Sequence, residues 1–306
     1  MCCLFGILDY GHSLTTPQKN HILSVLATAC EVRGADATGI AYNTKSSLKI
    51  FKRPLPAHRM RMRIPPNTNY IMGHTRLSTQ GSERINRNNH PFHGSVRGTS
   101  FALAHNGMLL NDCELQKKLP ATKIETDSYV AVQLIERFEE LSFSSLKQMA
   151  EQVEGTFSFT VLDNQDNLYL IKGNNPLCLY HWPRWGLYLY ASTEDILKKA
   201  LQGIRIKLDV PEEVEIDSGD IVRIDCYGHI VRNHFDVSHL FSSHSYGWPC
   251  HFSFLNWESK PVPDEYVSEL KSVARAFGYS PDDIDLLLRE GFTPEEIEEC
   301  FYSGEL

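Results

Sequence analysis

The stretch CCLFGILDY (residues 2–10) decides how this chain is read. From residue 3 onward it is a short apolar run suited to a buried strand. Its two cysteines follow Met1 directly, where an exposed thiol is open to oxidation. Chemistry offers a reason for the placement. Cysteine is small enough for removal of Met1 to be expected, and Cys2 then bears a free α-amine with a pKa of about 7.7–8.0. Such an amine is a general base at neutral pH, so one residue would supply nucleophile and base together. The alternative is an N-terminal cysteine without a role. Three polar stretches further along bear on the choice.

GHTRLSTQG (73–81) reads as a strand running into a glycine-bounded polar loop, a common place to hold substrate. Arg76 offers a planar fork that can grip a carboxylate with two hydrogen bonds; it reads equally as a surface arginine in a turn. In AHNGMLLN (104–111), Asn-Gly between apolar runs is a strong two-residue hairpin signal, yet the Asn106 amide and the Gly107 N–H also suit an oxyanion hole. In ETDSY (125–129), Asp127 at a helix start favours the helix dipole or, functionally, binds an ammonium group.

Composition excludes several classes. The chain has 306 residues, 42% of them hydrophobic and 22% charged, ordinary values for a globular protein. A net charge of −8 argues against a general nucleic-acid binder. No apolar run approaches the ~20 residues of a membrane helix, and MCCLFGILDYGH lacks the basic lead-in of a secretory signal. The 8 cysteines are scattered, without zinc-ligand spacing, which favours a reducing, cytoplasmic setting. No metal or organic cofactor is implied.

The order of elements points to an α+β fold with antiparallel sheets. TTPQKNHILSVLATACEVRG reads as a helix capped by Thr15 or Thr16, with Pro17 in its first turn and Gly34 beyond its end. TGIAYNTKSSLKIFKRP reads as a hairpin, and NYIMGHTRL and SFALAHNGMLL as strands. Two helices follow, ETDSYVAVQLIERFEEL with Thr126 as N-cap, and SFSSLKQMAEQVEG. The strands GTFSFTVLD, NLYLIKG, LCLYHW and LYLYAS come next, then the helix STEDILKKAL, then EVEI and DIVRIDCYGHIV as further strands. Close succession without βαβ alternation argues against a parallel sheet.

Taken together, the stretches resemble the class II glutamine amidotransferases of the N-terminal-nucleophile hydrolase superfamily. The resemblance rests on CCLFGI (2–7), RGADATGI (33–40), GHTRLSTQG, NNHPF (88–92), AHNGMLLN, ETDSYV (125–130), EGTFSFTVLD (154–163) and LYASTEDIL (189–197), in the family's order, and covers about residues 2–235. It is nearest to the glutaminase domains of glucosamine-6-phosphate synthase and amidophosphoribosyltransferase. It implies a four-layer αββα sandwich. It implies Cys2 as the nucleophile that attacks the glutamine side-chain amide, and Asn106 and Gly107 as the oxyanion hole. Arg76 would bind the substrate carboxylate and Asp127 its ammonium, while Thr79 and Gln80 line the glutamine loop and Arg33 and Gly34 sit beside the nucleophile. Two positions depart from the family: Leu77 replaces an aromatic residue, and Cys3 replaces glycine, adding a thiol expected beside the site.

The expected organisation is an amidotransferase domain over 2–238, an irregular connector over 239–262 and a short helical tail over 263–306. No P-loop, phosphoribosyl-binding pattern or sugar isomerase follows the resemblance. Ammonia is therefore expected to pass to a separate synthetase or transferase subunit, or the chain is a free-standing glutaminase. An amidase for another amide and an inactive scaffold are the other readings; Arg76 and Asp127 count against the first, and the joint presence of Cys2, Asn106, Gly107, Arg76 and Asp127 against the second. The tail is either a docking element, with Leu286, Leu287, Ile297 and Phe301 as its contacts, or it packs on its own domain. The basic segment 49–66 is either a solvated strand and loop or a surface for an anionic partner.

Overall fold

A computed structural model describes residues 2–45, 47–240, 264–289 and 292–303. Side chains alternate between the two faces of a strand, and in β1 (Cys3–Asp9) both sets are buried. Cys3, Phe5 and Ile7 join one core with Ile22, Leu23 and Leu26 of helix α1 (Thr16–Ala29). Leu4 and Leu8 join a second core on the opposite face. A strand covered on both sides has to lie inside a layered structure.

Two antiparallel sheets surround that second core. One runs in the order β11 (Glu212–Glu213), β9 (Cys178–Trp182), β10 (Leu187–Ala191), β1, β4 (Tyr70–Arg76), β2 (Ala37–Asn43) and β3 (Leu48–Arg53). The other runs β13 (Ile230–His234), β12 (Asp220–Ile224), β8 (Leu168–Lys172), β7 (Gly155–Asp163), β6 (Thr99–Leu109) and β5 (Phe92–Val96). Between them Leu4, Leu8, Tyr70 and Met72 meet Ala102, Ala104, Leu170 and Val222. Outside the first sheet lie α1 and α5 (Glu194–Gly203). Outside the second lie α3 (Tyr129–Arg137) and α4 (Phe143–Gln152), whose Leu134 and Leu146 pack with Phe101 and Phe157. This is the αββα sandwich expected from the sequence.

Local signals set several boundaries. Thr15 and Gln18 form a capping box at the start of α1, and Thr193 caps α5 by accepting from the Ile196 N–H. Others differ from expectation. The helix after ETDSY begins at Tyr129, and Thr126 does not cap it. Asp127 instead accepts the Leu109 N–H at 2.7 Å, so it is turned toward β6. Of the two readings open for Asn106 and Gly107 the hairpin turn is the one that fails: both lie inside the expected strand, β6, opposite Ser158 and Phe157 of β7. Of EVEI (213–216) only Glu213 is strand, as the end of the two-residue β11. β5 and the short α2 (Asp112–Gln116) were not anticipated.

Beyond the sandwich, α6 (Asp264–Ala276), α7 (Pro281–Arg289) and α8 (Pro294–Ser303) enclose a core of Leu270, Val273, Ala274, Ile284, Ile297 and Phe301. Ile297 and Phe301 are therefore turned inward rather than outward, and Leu287 packs against them, while Leu286 is 55% exposed. Ser280 caps α7 through reciprocal bonds with Asp283. Most of the connector, Gly291 as helix stop and the Glu296 side chain lie outside the described residues. In the basic segment Arg59, Arg61 and Arg63 are exposed while Met60, Met62 and Ile64 alternate with them into the core. No helix among the described residues is long and apolar enough to cross a membrane.

Candidate active site

β1 and β4 are antiparallel neighbours, with Cys3 opposite Thr75, so the start of one lies beside the end of the other. That register brings Cys2 to Arg76 and the loop after it. The Cys2 thiol donates to the Leu77 carbonyl at 3.6 Å. A cavity opens there, lined by Cys2, Arg76, Leu77, Thr79, Gln80 and Gly107 together with His90, His105 and residues 126–128. Gly107 comes from the other sheet, so the cavity sits where the two sheets meet at one end of the sandwich.

Burial is the largest influence on the Cys2 thiol and pushes its pKa up, against the pull of the amino-terminal charge and Arg76. A thiol of this kind is protonated at neutral pH, so it needs a base to attack. Cys3 lies on the opposite face of the strand, fully buried in the core against α1, and is not beside the cavity as expected.

Gly107 can be no other residue. Its φ is +144°, and a Cβ there would come within 1.9 Å of the Thr156 carbonyl. Asn106 stands behind it, fully buried, with its Nδ2 without a partner among the described residues. Its Oδ1 accepts from Arg33 Nη2 at 3.4 Å.

Arg33 and Gly34 do not line the cavity; they lie behind it, with Arg33 beside the nucleophile. Arg33 donates from Nε to the Cys2 carbonyl at 2.9 Å and from Nη1 to Glu269 of α6 at 2.8 Å. Gly34 lets two backbones meet, since a Cβ on it would lie 2.4 Å from the Leu77 nitrogen.

Arg76 is buried, yet among the described residues no carboxylate pairs with it. Its Nη1 donates to Asn89 Oδ1 at 2.7 Å, and its Nη2 to the carbonyls of Gln80 and Gly81 at 2.6 and 2.7 Å. These bonds fold the 77–81 loop over the cavity. Gln80 is tied in turn to Asp112 at 3.1 Å. Burial lowers the Arg76 pKa, and Cys2 and Asp127 act in the opposite direction. Asp127 faces the same cavity, fixed by the Leu109 N–H and by the Ser128 hydroxyl at 3.2 Å.

Three buried histidines complete the surroundings. Burial lowers the pKa of each: His74 to about 3, His90 well below the usual imidazole range, and His105 also downward. His74 Nε2 donates to the His105 carbonyl at 2.9 Å, and His105 Nδ1 meets the Ser128 hydroxyl at 2.8 Å. The ring nitrogens of His90 have no partner among the described residues. The sequence assigned no roles to His90, His105 or Ser128, although all three fall inside stretches singled out above, and it gave no sign of Glu269. Among the described residues no group of three His, Cys, Asp or Glu side chains could hold a metal ion.

Residues 74–199 match the model of the glutamine amidotransferase domain family. The chain is similar to the glutamine–fructose-6-phosphate aminotransferase (isomerizing) of Fusobacterium nucleatum, 30% identical over 56% of this chain and 29% of that one. It is also similar to the 7-cyano-7-deazaguanine synthase of Sulfolobus acidocaldarius, 25% identical over 71% of this chain and 48% of that one. The matches thus span less than half the length of these curated relatives. The fold is shared with a glutamine phosphoribosylpyrophosphate amidotransferase from B. subtilis, at a TM-score of 0.60 and 20% identity over 78% of this chain and 50% of that one. The matched region runs through Arg76, Gly107 and Asp127, so these three residues lie in the part of the chain that is similar to glutamine amidotransferase domains, on a fold shared with a solved amidotransferase.

Proposed function

We propose that this protein hydrolyses the side-chain amide of glutamine and delivers the ammonia to a separate acceptor protein. The observation that carries the reading is Arg76: a buried cation without a carboxylate partner among the described residues, in one cavity with the carboxylate of Asp127 and the thiol of Cys2. A ligand that answers both charges is an α-amino acid, its carboxylate toward Arg76 and its ammonium toward Asp127. Substrates lacking that head would leave charged groups unpaired and bind several kcal/mol more weakly.

The chemistry follows from the groups present. Once Met1 is removed, the Cys2 α-amine takes the thiol proton as sulfur attacks the amide carbon. The oxyanion that forms is held by Asn106 Nδ2 and the Gly107 N–H. The tetrahedral intermediate collapses, the α-ammonium gives its proton to the departing nitrogen, and ammonia leaves. Water then adds to the γ-glutamyl thioester, activated by the same amine, and glutamate departs as the thiol is restored. Thr79, Gln80 and Leu77 close over the substrate. In this reading residues 2–238 form the catalytic domain, residues 239–262 a connector and residues 263–306 an accessory helical part.

The test is intact mass before and after a glutamine-mimicking diazo-ketone, with the adduct mapped by peptide. The expected result is protein lacking Met1 with a single adduct on Cys2 that excess glutamine prevents. Processed protein that stays unlabelled overturns the reading in favour of a scaffold, and labelling blocked by another amide but not by glutamine points to a different amidase. Ammonia release at full rate by the isolated chain would favour a free-standing glutaminase over a subunit with an acceptor.

A further inference from the structure

The geometry points to Glu269 of helix α6 as a positioning residue for the nucleophile and the oxyanion hole, so that the C-terminal helices are a working part of the active site. The inference rests on the glutaminase reading above and extends it to residues that touch no substrate.

Glu269 is only 3% exposed, although it stands on the outer helical part of the chain. Both of its oxygens are committed. Oε1 accepts from Arg33 Nη1 at 2.8 Å, and Oε2 from the Thr193 hydroxyl at 3.0 Å. Arg33 is 1% exposed, and a buried guanidinium needs a counter-charge held in good geometry. The guanidinium is planar and rigid, so fixing one edge aims the others. Here the others reach the two parts of the reaction site: Nε meets the Cys2 carbonyl, and Nη2 meets Asn106 Oδ1.

The Asn106 contact has a directional consequence. With Oδ1 bound to Arg33, the amide can turn only its Nδ2 the other way. That Nδ2 is the buried donor left without a partner among the described residues, as an oxyanion donor should be before substrate arrives. One carboxylate on α6 thus sets, through one arginine, where the nucleophile's backbone sits and which way the oxyanion donor points. The α6–α8 unit has its own core, and among the described residues its polar contacts with the sandwich include Glu269 and the exposed pair of Glu265 with Lys199 at 2.7 Å.

Substrate recognition belongs to the other wall, at Arg76 and Asp127, and this separates the effects. In the full-length protein, Glu269→Gln is expected to lower kcat for glutamine by about 100-fold, the scale of a small misplacement of reacting groups, while KM stays within about twofold. The rate of Cys2 labelling by the diazo-ketone falls in parallel, and protection by glutamine keeps its midpoint. Glu269→Asp keeps the counter-charge and so the fold, but draws it back from Arg33; it is expected to lose about 10-fold in kcat, again with KM unchanged. Lys199→Ala, which removes the exposed contact only, retains wild-type kinetics. The inference is overturned if folded Glu269→Gln has wild-type kcat, or if KM rises as much as kcat falls. Should Glu269→Gln fail to fold, Glu269→Asp decides: wild-type kcat there overturns the inference. A processed wild-type protein that takes no label overturns the glutaminase reading itself, and this inference with it.

Discussion

Arg33 and Arg76 are buried to within 1% and 3% of full cover, and they are used in opposite ways. Arg33 faces a carboxylate, and its remaining donors tie together the Cys2 backbone and the Asn106 side chain. Arg76 is surrounded by neutral oxygens, and its charge is left for something that enters the cavity. A paired cation of this kind builds structure. An unpaired one is costly to bury, and that cost is reasonable only where a ligand relieves it. In the proposed reading the difference separates the wall that aligns the chemistry from the wall that selects the substrate.

Substitution breaks the comparison most directly. Arg76→Gln and Asp127→Asn should each raise KM for glutamine and reduce kcat/KM by about a hundredfold or more, from about 2–5 kcal/mol lost per truncated charge partner. Arg33→Gln should reduce kcat instead, and should destabilise the fold by about 3–5 kcal/mol, because it leaves Glu269 buried and unpaired. Steady-state kinetics and denaturant unfolding of the three proteins check this. If Arg33→Gln and Arg76→Gln give the same split between kcat and KM, the two walls are not distinct.

Two glycines of the site differ in the same instructive way. Gly107→Ala should cost about 3 kcal/mol of stability, from a left-handed φ and the collision with the Thr156 carbonyl. It should also lower kcat by about 10²–10³ through the displaced donor. Gly34→Ala has no such φ, only crowding against the Leu77 nitrogen, and should cost about 1–3 kcal/mol. Thermal unfolding ranks them, and a larger loss at Gly34 would contradict the account.

Much of this was legible in the sequence because it is local. The doubly buried β1, the capped α1, the polar stretches around Arg76 and the Asn106-Gly107 pair are all signals spanning a few residues. Where a local signal allowed two readings, or only the wrong one, tertiary context decided. Asn106-Gly107 has hairpin chemistry, but its flanks pair along β7, and the glycine serves a close approach rather than a turn. Thr126 has the chemistry of a cap, but Asp127 is drawn away to the Leu109 N–H and the helix starts later. Glu269 was invisible for a different reason. It is one acid among many on a helix, 236 residues from Arg33 in the chain, and only the fold brings the two charges together.

The smallest expected effect sharpens what an unspent charge does to its neighbours. Burial is the main cause that holds His74 and His90 neutral, and Arg76 adds to it. Their folded pKa values lie below the unfolded value of about 6.5, so below that pH the unfolded chain binds more protons than the folded one. Stability from these groups is therefore present above about pH 6.5 and is lost as pH falls, by up to about 1.4 kcal/mol per pH unit for each histidine. His74, with a folded pKa of about 3, sets the lower end of the window. Denaturant unfolding from pH 7 to pH 4 measures the slope. His90→Gln should reduce it by about one proton. Arg76→Gln should leave the His74 contribution to the slope unchanged between pH 6.5 and 5, where that histidine stays neutral either way. Nearer pH 4 its curve should level off first, because without the arginine the folded histidines accept protons sooner. Identical curves down to pH 4 would mean that the charge of Arg76 is already neutralised, and the contrast with Arg33 would be lost.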